Sequence, residues 1–502
     1  MNQSNCYSKC FLTFVGITLL TFIYREWVTL ATPITLFYDE AYYLSWAQNP
    51  DWGYYSKPPV VGWLISITTS LFGNGEWVVK LAAPVLYCLT AIVAYRINRR
   101  LFSEKAGFYA GLAFLFMPLV SLNSLFITTD APQLFFWACA TYAFIRARDN
   151  NALGWWILAG CFGGLGLLSK YTFVLLPVAF LCFAVVSEQG KKILTNPRFW
   201  LACAIAVLFL LPNLYWNYQH DFISFQHTSE ISKQGEKPIS FGRMTEFWCL
   251  QLLVFGPVLL VLMLVKGAKS KPKTDNEKLL WCLFWPTIII ISTQALLAKA
   301  NMNWAAAAYV SASLLTGYYL STMTAKTWLK AGLAVNIALM AAFYHFNAFT
   351  DAIGVERTKS NDPYKRINGW PEFVEQFQPY FDQYPDHKLA SDHRKLLAYF
   401  GYYLTPQDFT GVSLDGDFHV AHHYDLMYPL YESDYQAFLF ITDKWTETEL
   451  NQYFTQVELL TEQTRKVYDN YSREARLYKV SGFKGKSVIK TLVQHEVSDE
   501  SE

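Results

Sequence analysis

The chain has 502 residues, of which 53% are hydrophobic, 17% aromatic and 16% charged, and its formal net charge is +1. This balance excludes binding driven by a basic surface, as to nucleic acid, and is too apolar for an ordinary soluble enzyme of this length. It points to a membrane protein.

A helical span needs about 20 mostly apolar residues. About eleven segments fit or approach that length: 11–30, 77–95, 107–126, 131–147, 155–169, 171–187, 199–215, 246–265, 279–297, 304–322 and 327–347. In the first, the apolar run Phe11 to Ile23 is followed by Tyr24-Arg25-Glu26 with no small-residue cleavage site, so it reads as an uncleaved span rather than a signal peptide. Val60 to Phe72 is shorter and starts after Pro58-Pro59, which suits an interfacial or re-entrant helix. The nine cysteines lie in the N-terminal tail or in apolar runs, none beyond Cys282, and read as small buried hydrophobes.

Orientation follows from the placement of lysine and arginine. With the N-terminus inside, the cytoplasmic loops hold clusters such as Arg96, Arg99, Arg100 and Lys105, then Lys191, Lys192 and Arg198, then Lys266, Lys269, Lys271, Lys273 and Lys278. The opposite side holds scattered cations only: Arg25, Lys57, Lys80, Lys170, Lys233, Lys237, Arg243 and Lys299. An odd number of spans then puts the last segment outside the cytoplasm. That segment is polar and mixes helical runs (Trp370 to Phe377) with strand-like ones (Ala437 to Thr442), as a small α+β domain would. Its acidic end, Val497 to Glu502, reads as frayed. The expected organisation is a transmembrane domain over residues 1–350, with a first outer loop at 33–76, and a C-terminal domain over 351–502.

The outer loops carry the chemistry-bearing residues. The first holds Tyr38-Asp39-Glu40-Ala41-Tyr42-Tyr43 and Trp52-Gly53-Tyr54-Tyr55-Ser56-Lys57-Pro58-Pro59; later ones hold Thr129-Asp130-Ala131-Pro132, Ser169-Lys170-Tyr171 and Asn301-Met302-Asn303-Trp304. Adjacent carboxylates point in different directions on a helix, so one of Asp39 and Glu40 faces a site while the other braces structure; a solvated capping pair is the plainer reading. Asp130, just ahead of Ala-Pro, also fits an N-cap. Lys170 has almost no loop around it; an ionisable group at such depth is costly and marks function unless it snorkels to the interface. Most of the tyrosines and tryptophans read as interfacial belts. No Gly-rich nucleotide loop joins a strand to a helix. Carboxylates and lysines on one face suit chemistry on a membrane-anchored, phosphate-bearing substrate.

At these residues the chain resembles bacterial glycosyltransferases that use polyprenyl-phosphate sugars, related to protein O-mannosyltransferases and to the lipid A aminoarabinose transferase. The Asp-Glu pair followed by Gly53-Tyr54-Tyr55-Ser56-Lys57-Pro58-Pro59 is the most specific part, supported by Asp362-Pro363-Tyr364-Lys365-Arg366 and Gly369-Trp370. The alanines of Ala305 to Ala308 depart from the proline expected after Trp304. The resemblance implies a GT-C fold: an all-α multi-pass membrane domain with juxtamembrane helices in the first outer loop, here with a C-terminal α+β extracytoplasmic domain. It implies an inverting transfer of a hexose or pentose from an undecaprenyl phosphate to lipid A or another lipopolysaccharide or glycolipid acceptor. The place would be the periplasmic face of the bacterial inner membrane. Asp39, Glu40 and Asp130 are the expected catalytic carboxylates, with Lys57, Lys170, Tyr55 and Tyr171 around the donor phosphate. No cofactor is required; a divalent metal on Asp39, Glu40 and Asp130 is compatible. A protein acceptor is the alternative within the enzyme class. A transporter or flippase, or a non-catalytic assembly subunit, are the alternatives outside it.

Overall fold

The computed structural model describes residues 3–233, 239–270, 272–324, 326–416 and 418–487. Lys237, Lys271 and the tail Val497 to Glu502 lie outside them. The chain forms two compact units: Met1–Thr32 with Lys57–Phe349, and Pro33–Ser56 with Thr350–Glu502. The 33–76 stretch, read from sequence as one loop, is thus divided after Ser56.

In chain order, α1 is Gln3–Ala31 and α2, in the second unit, is Tyr38–Gln48. The first unit continues with α3 (Val60–Phe72), α4 (Glu76–Lys80), α5 (Ala82–Leu101), α6 (Glu104–Leu115), α7 (Pro118–Asn123), α8 (Asp130–Asn150), α9 (Leu153–Leu167), α10 (Leu175–Val186) and α11 (Glu188–Leu194). It closes with α12 (Pro197–Gln219), α13 (Ile223–Lys233), α14 (Phe241–Phe255), α15 (Pro257–Ser270), α16 (Asp275–Leu297), α17 (Ala306–Thr322) and α18 (Thr327–Tyr344), and α19 (Phe346–Ala352) leads out of it.

Each of the eleven apolar segments is helical, and the protein is a multi-pass membrane protein. Among the described residues five helices are long and apolar enough to cross a bilayer, within Lys9–Ala31, Glu76–Leu101, Pro197–Gln219, Asp275–Leu297 and Thr327–Tyr344. The 246–265 segment, expected as one straight span, is two helices meeting at 107°. The cause is local: Gly256 sits at φ +99°, and a Cβ there would fall 2.0 Å from Asn336 Oδ1. Pro257 then opens α15 without needing an N–H partner. The 107–126 segment is likewise broken ahead of Pro118. Val60–Phe72 is a 13-residue helix, as its length suggested.

Packing is close where side chains are small. A Cβ on Gly160 would lie 2.6 Å from Ala202 O, and one on Gly164 would lie 2.4 Å from Phe209 Cβ, so α9 and α12 touch backbone to backbone. The outward faces of α1 and α12 show Leu12, Leu19, Leu20, Leu208 and Leu211, the surface a lipid environment tolerates.

The second unit is α+β. Its strands are β1 (Lys388–Ser391), β2 (Val412–Ser413), β3 (Ala437–Thr442), β4 (Phe454–Tyr468) and β5 (Tyr471–Phe483), in the order β2-β1-β3-β5-β4. β1 runs parallel to β2 and β3, while β5 is antiparallel to β3 and β4. Around the sheet lie α20 (Trp370–Glu375), α21 (Gln378–Gln383), α22 (Arg394–Tyr403), α23 (His423–Met427) and α24 (Glu447–Tyr453). Ala437–Thr442 is the strand its sequence announced, and Phe438 and Phe440 bury one face of it with Phe454 and Val480.

The acidic stretch of the first loop is part of this unit. Tyr399 Oη donates to Leu36 O at 3.2 Å, Thr35 Oγ1 to Ile367 O at 2.9 Å, and Leu36 N to Tyr403 Oη at 3.3 Å. Trp46 and Tyr54 stack at 4.5 Å, and both rings lie edge-on to His423. Tyr42, Trp46 and Tyr54 are buried. This corrects the interfacial-belt reading for these aromatics: they are the core joining residues 33–56 to the C-terminal segment.

Candidate active site

In the first unit, three helix starts converge on one carboxylate. Asp130 is the first residue of α8 and is 1% exposed. The N-cap position belongs to Thr129, which makes no side-chain cap bond. Asp130 is therefore not the cap its Ala-Pro context suggested. Its Oδ1 lies 2.6 Å from Lys170 Nζ, and its Oδ2 accepts from Asn303 Nδ2 at 2.6 Å.

Lys170 stands in the break between α9 and the 3-10 turn Tyr171–Val174, with extended backbone (φ −162°, ψ 131°). Its side chain is 15% exposed. The ammonium is thus satisfied inside the protein rather than reaching away to the interface. Asn303 lies in the turn Met302–Ala305 that leads into α17. Two further bonds hold these turns in register: Gln133 Nε2 donates to Thr172 Oγ1 at 2.9 Å, and Gln251 Nε2 to Met302 O at 3.3 Å. Tyr309 Oη fixes the Gln251 amide from its other side at 2.8 Å.

Tyr171 faces a different polar group. Its hydroxyl donates to Asn213 Oδ1 at 3.2 Å and accepts from Asn217 Nδ2 at 3.4 Å, and its ring packs on Phe225. Lys57 is half-buried at the entry to α3. The first peptide of that helix is tied to the Lys170 turn, since Val60 N donates to Leu168 O at 3.1 Å. Lys57 and Lys170 thus belong to segments hung from one junction, three residues before Val60 and two after Leu168.

In the second unit, α2 presents Asp39 and Glu40 in its first turn, where carboxylates complement the helix dipole. They diverge as adjacent helical positions must. Glu40 is 1% exposed, and its Oε2 accepts from the Phe37 N–H at 2.9 Å, closing the first turn. Asp39 remains half-exposed beside Tyr38 and Tyr43. Burial, reinforced by the Asp39 charge, lifts the Tyr38 and Tyr43 hydroxyls above the ordinary phenol value. Tyr55 is buried, and its backbone N–H reaches His423 Nδ1 at 3.5 Å.

Sequence reasoning missed the residues that α22 and α23 bring to this face of α2. Arg394 lies over the rings of Tyr38 and Tyr42, 5.6 and 5.5 Å from their centres. Burial, with Lys395 second, pushes His393 down to about 4; burial, with Arg394 second, pushes His422 down to about 3. Both imidazoles are neutral at pH 7. The only hint in the sequence was the pair His393-Arg394 ahead of an aromatic helix.

Both Asp130 oxygens face an ammonium and an amide donor, and a Glu40 oxygen is committed to the Phe37 N–H. Among the described residues no group of three or more His, Cys, Asp or Glu side chains is placed to hold a metal ion.

Comparison with known proteins agrees with this picture. Residues 56–216 match the family described as dolichyl-phosphate-mannose-protein mannosyltransferase. The lipid A galacturonosyltransferase RgtD of Rhizobium johnstonii is 34% identical over 291 residues, covering 57% of this chain and 60% of that protein. An undecaprenyl phosphate-α-4-amino-4-deoxy-L-arabinose arabinosyl transferase of Pseudomonas aeruginosa is 31% identical over 168 residues, 32% of this chain and 30% of that one. The match thus spans less than two thirds of these relatives' lengths. The crystal structure of ArnT from Cupriavidus metallidurans superposes with a TM-score of 0.61 at 15% identity, covering 94% of this chain and 97% of that one. Its undecaprenyl phosphate-bound form gives 0.60. The chain therefore has the ArnT-like GT-C fold, and the resemblance drawn from its motifs holds.

Proposed function

We propose that this GT-C-fold chain is a glycosyltransferase that moves a sugar from a polyprenyl phosphate, in the form of undecaprenyl phosphate, to lipid A or another lipopolysaccharide acceptor. The observation that carries the reading is Lys170 paired with a buried carboxylate, Asp130, at the ends of membrane helices. Such a charge is costly to keep and is kept where an anion must be met. The functions of the Rhizobium and Pseudomonas relatives, both sugar transferases, support it.

In the reaction, an acceptor hydroxyl oxygen attacks the anomeric carbon from the face opposite the phosphate. The bond from that carbon to the phosphate oxygen breaks, and the electron pair leaves with the polyprenyl phosphate. The acceptor proton passes to Asp39, a general-base contribution worth roughly 10²–10⁴-fold. The anomeric centre inverts. Lys57 and Lys170 stabilise the charge growing on the departing phosphate, and such preorganised electrostatics is usually the largest catalytic contribution. Asp130 with Asn303 aims the Lys170 ammonium; Glu40 holds the first turn of α2, and with it Asp39. Tyr55 and Tyr171 shape the surroundings of the donor. We place the N-terminus in the cytoplasm and residues 351–502 in the periplasm of a bacterial inner membrane, from the lysine and arginine distribution.

Reconstitution tests this directly. Purified protein in liposomes with an undecaprenyl-phosphate sugar should release undecaprenyl phosphate only when lipid A is added. Release without acceptor, or movement of intact donor across the bilayer, would replace transfer with hydrolysis or transport.

A further inference from the structure

Within the membrane unit, α10 packs against α16 and the two helices line an apolar groove of about 640 Å³. The site described above uses none of its residues. One wall is the α16 face from Lys278 through Trp285 to Ile290, and Cys182 and Val186 of α10 form the other. From Lys278 to Ile290 the helix rises about 18 Å, close to half of a hydrocarbon core of about 30 Å. The groove is thus as deep as one leaflet. Val186, Trp285 and Ile289 are exposed along it. Trp281 is fixed by donating from Nε1 to Tyr319 Oη at 3.3 Å and by stacking on Trp285 at 5.9 Å. Paired indoles of this kind sit at headgroup level.

Only one end of the groove is charged. Lys278, half-buried in the first turn of α16, stands there beside Pro272. Its Nζ is 3.7 Å from Asp275 Oδ1, too far for a hydrogen bond, so the ammonium keeps donors to offer. Lys273, just ahead of the helix, is exposed. α11 follows α10 after Ser187 and adds Lys191 and Lys192. Lys191 pairs with Glu188 at 2.6 Å, and the Glu188 carboxyl is held below its ordinary value first by Lys191 and further by Lys192 and Lys278. Glu277 is buried and turned inward, accepting from the Lys273 and Thr274 N–H groups at 3.1 Å each. The four lysines outnumber Glu188, Asp275 and the cap-bound Glu277, leaving positive charge over the open end.

We infer that this groove is a binding site for one anionic phospholipid of the lysine-rich leaflet, with an acyl chain along α16 and the phosphate against Lys278 and Lys273. A leaflet-deep apolar slot under a cationic rim fits both halves of such a lipid. A zwitterionic lipid would bring its own ammonium to the lysines. A polyprenyl phosphate shares the chemistry, but its proposed place is around Lys170, ahead of the opposite end of α10. The inference needs only the membrane helices and does not rest on the transferase reading.

Native mass spectrometry of delipidated full-length protein tests it, with phosphatidylglycerol, phosphatidylethanolamine of the same acyl chains, and undecaprenyl phosphate as probes. Each lysine near an anionic headgroup contributes roughly 5-fold in affinity. Wild type should therefore bind phosphatidylglycerol at least about 5-fold more tightly than phosphatidylethanolamine. Lys273→Gln with Lys278→Gln should weaken phosphatidylglycerol by roughly 25-fold and leave phosphatidylethanolamine unchanged. Ile289→Trp, which fills the slot without touching its charge, should weaken both. Equal affinity for the two phospholipids in wild type, or an equal loss of both in the double lysine variant, overturns the inference. So does undecaprenyl phosphate that displaces phosphatidylglycerol from wild type and loses affinity in that variant, since the groove would then belong to the carrier. None of these results bears on transfer, and failed reconstitution of transfer with lipid binding intact removes the transferase reading alone.

Discussion

The ammonium of Lys170 and the carboxylate of Asp130 meet at 2.6 Å, and Asp130 is 1% exposed. Forty residues of chain, including α8 and α9, separate them: Asp130 opens α8, and Lys170 stands just ahead of the 3-10 turn Tyr171–Val174. A buried pair of this kind costs desolvation on both sides, so its net stabilisation is small, but removing one partner strands the other.

This gives a stability signature distinct from the activity signature. Lys170→Met should lower stability by about 3–5 kcal/mol, because Asp130 is left buried and charged. Adding Asp130→Asn should restore much of that loss. Neither the single nor the double variant should transfer sugar. Thermal melting and donor turnover on the same detergent-solubilised preparations check both halves. A double variant that regains activity along with stability would make the pair purely structural.

Asn303 holds the second oxygen of Asp130. Asn303→Ala leaves that oxygen without its donor, at a cost of about 1–3 kcal/mol. Turnover should fall roughly 10- to 100-fold if that energy is expressed in the aim of Lys170. Asn303→Asp should be worse, since it places a second carboxylate against the first. The pair of rates, measured at saturating donor, checks the order.

Asp39 and Glu40 are adjacent, yet substitution should separate them. Glu40→Gln keeps an oxygen to accept the Phe37 N–H, so folding and activity should stay near wild type. Glu40→Ala removes the cap and should cost about 1 kcal/mol. Asp39→Asn should abolish transfer at unchanged abundance. Initial rates and protein yield for the three variants settle which carboxylate carries the chemistry.

Acid should weaken the C-terminal unit. The fold holds His393 and His422 neutral, with values near 4 and 3 against an ordinary 6.5, chiefly through burial. As the pH falls below about 6.5 the unfolded chain takes up these protons first, so stability present above that point is lost toward about pH 4. His387, also lowered by burial, works in the same direction, whereas Asp392, raised by burial, works against it. Melting of the full chain should therefore shift down between about pH 7 and pH 5. His422→Asn keeps a helix cap for α23 without a titrating group and should reduce the shift.

Gly256 tests the break between α14 and α15. An alanine there meets Asn336 Oδ1 and must hold φ near +99°. Gly256→Ala should cost about 1–3 kcal/mol by melting. Gly256→Ala combined with Asn336→Ala should recover only the steric share.

Much of this architecture was legible because apolar length has few meanings. Each of the eleven segments proved helical, and the lysine stranded between 155–169 and 171–187 was visible as an isolated charge. The 107° bend was not, since Gly256-Pro257 reads equally as a tolerated interruption of one span. The first loop hid more. Its tyrosines and tryptophans have the composition of an interfacial belt, but their partners, His423 and Tyr424, lie over 360 residues away in a segment without motifs. Arg394 was invisible for the same reason: a lone arginine acquires meaning only from the rings it covers. Asn303 was noticed within its motif but carries no charge to flag its bond to Asp130.

The most direct test of the central claim is mass spectrometry of lipid A extracted from cells that carry the wild-type protein, the Asp39→Asn variant or neither. The account predicts a species heavier by one sugar with wild type alone. Identical lipid A from all three, with both proteins present in the membrane, would contradict transfer to lipid A by this chain.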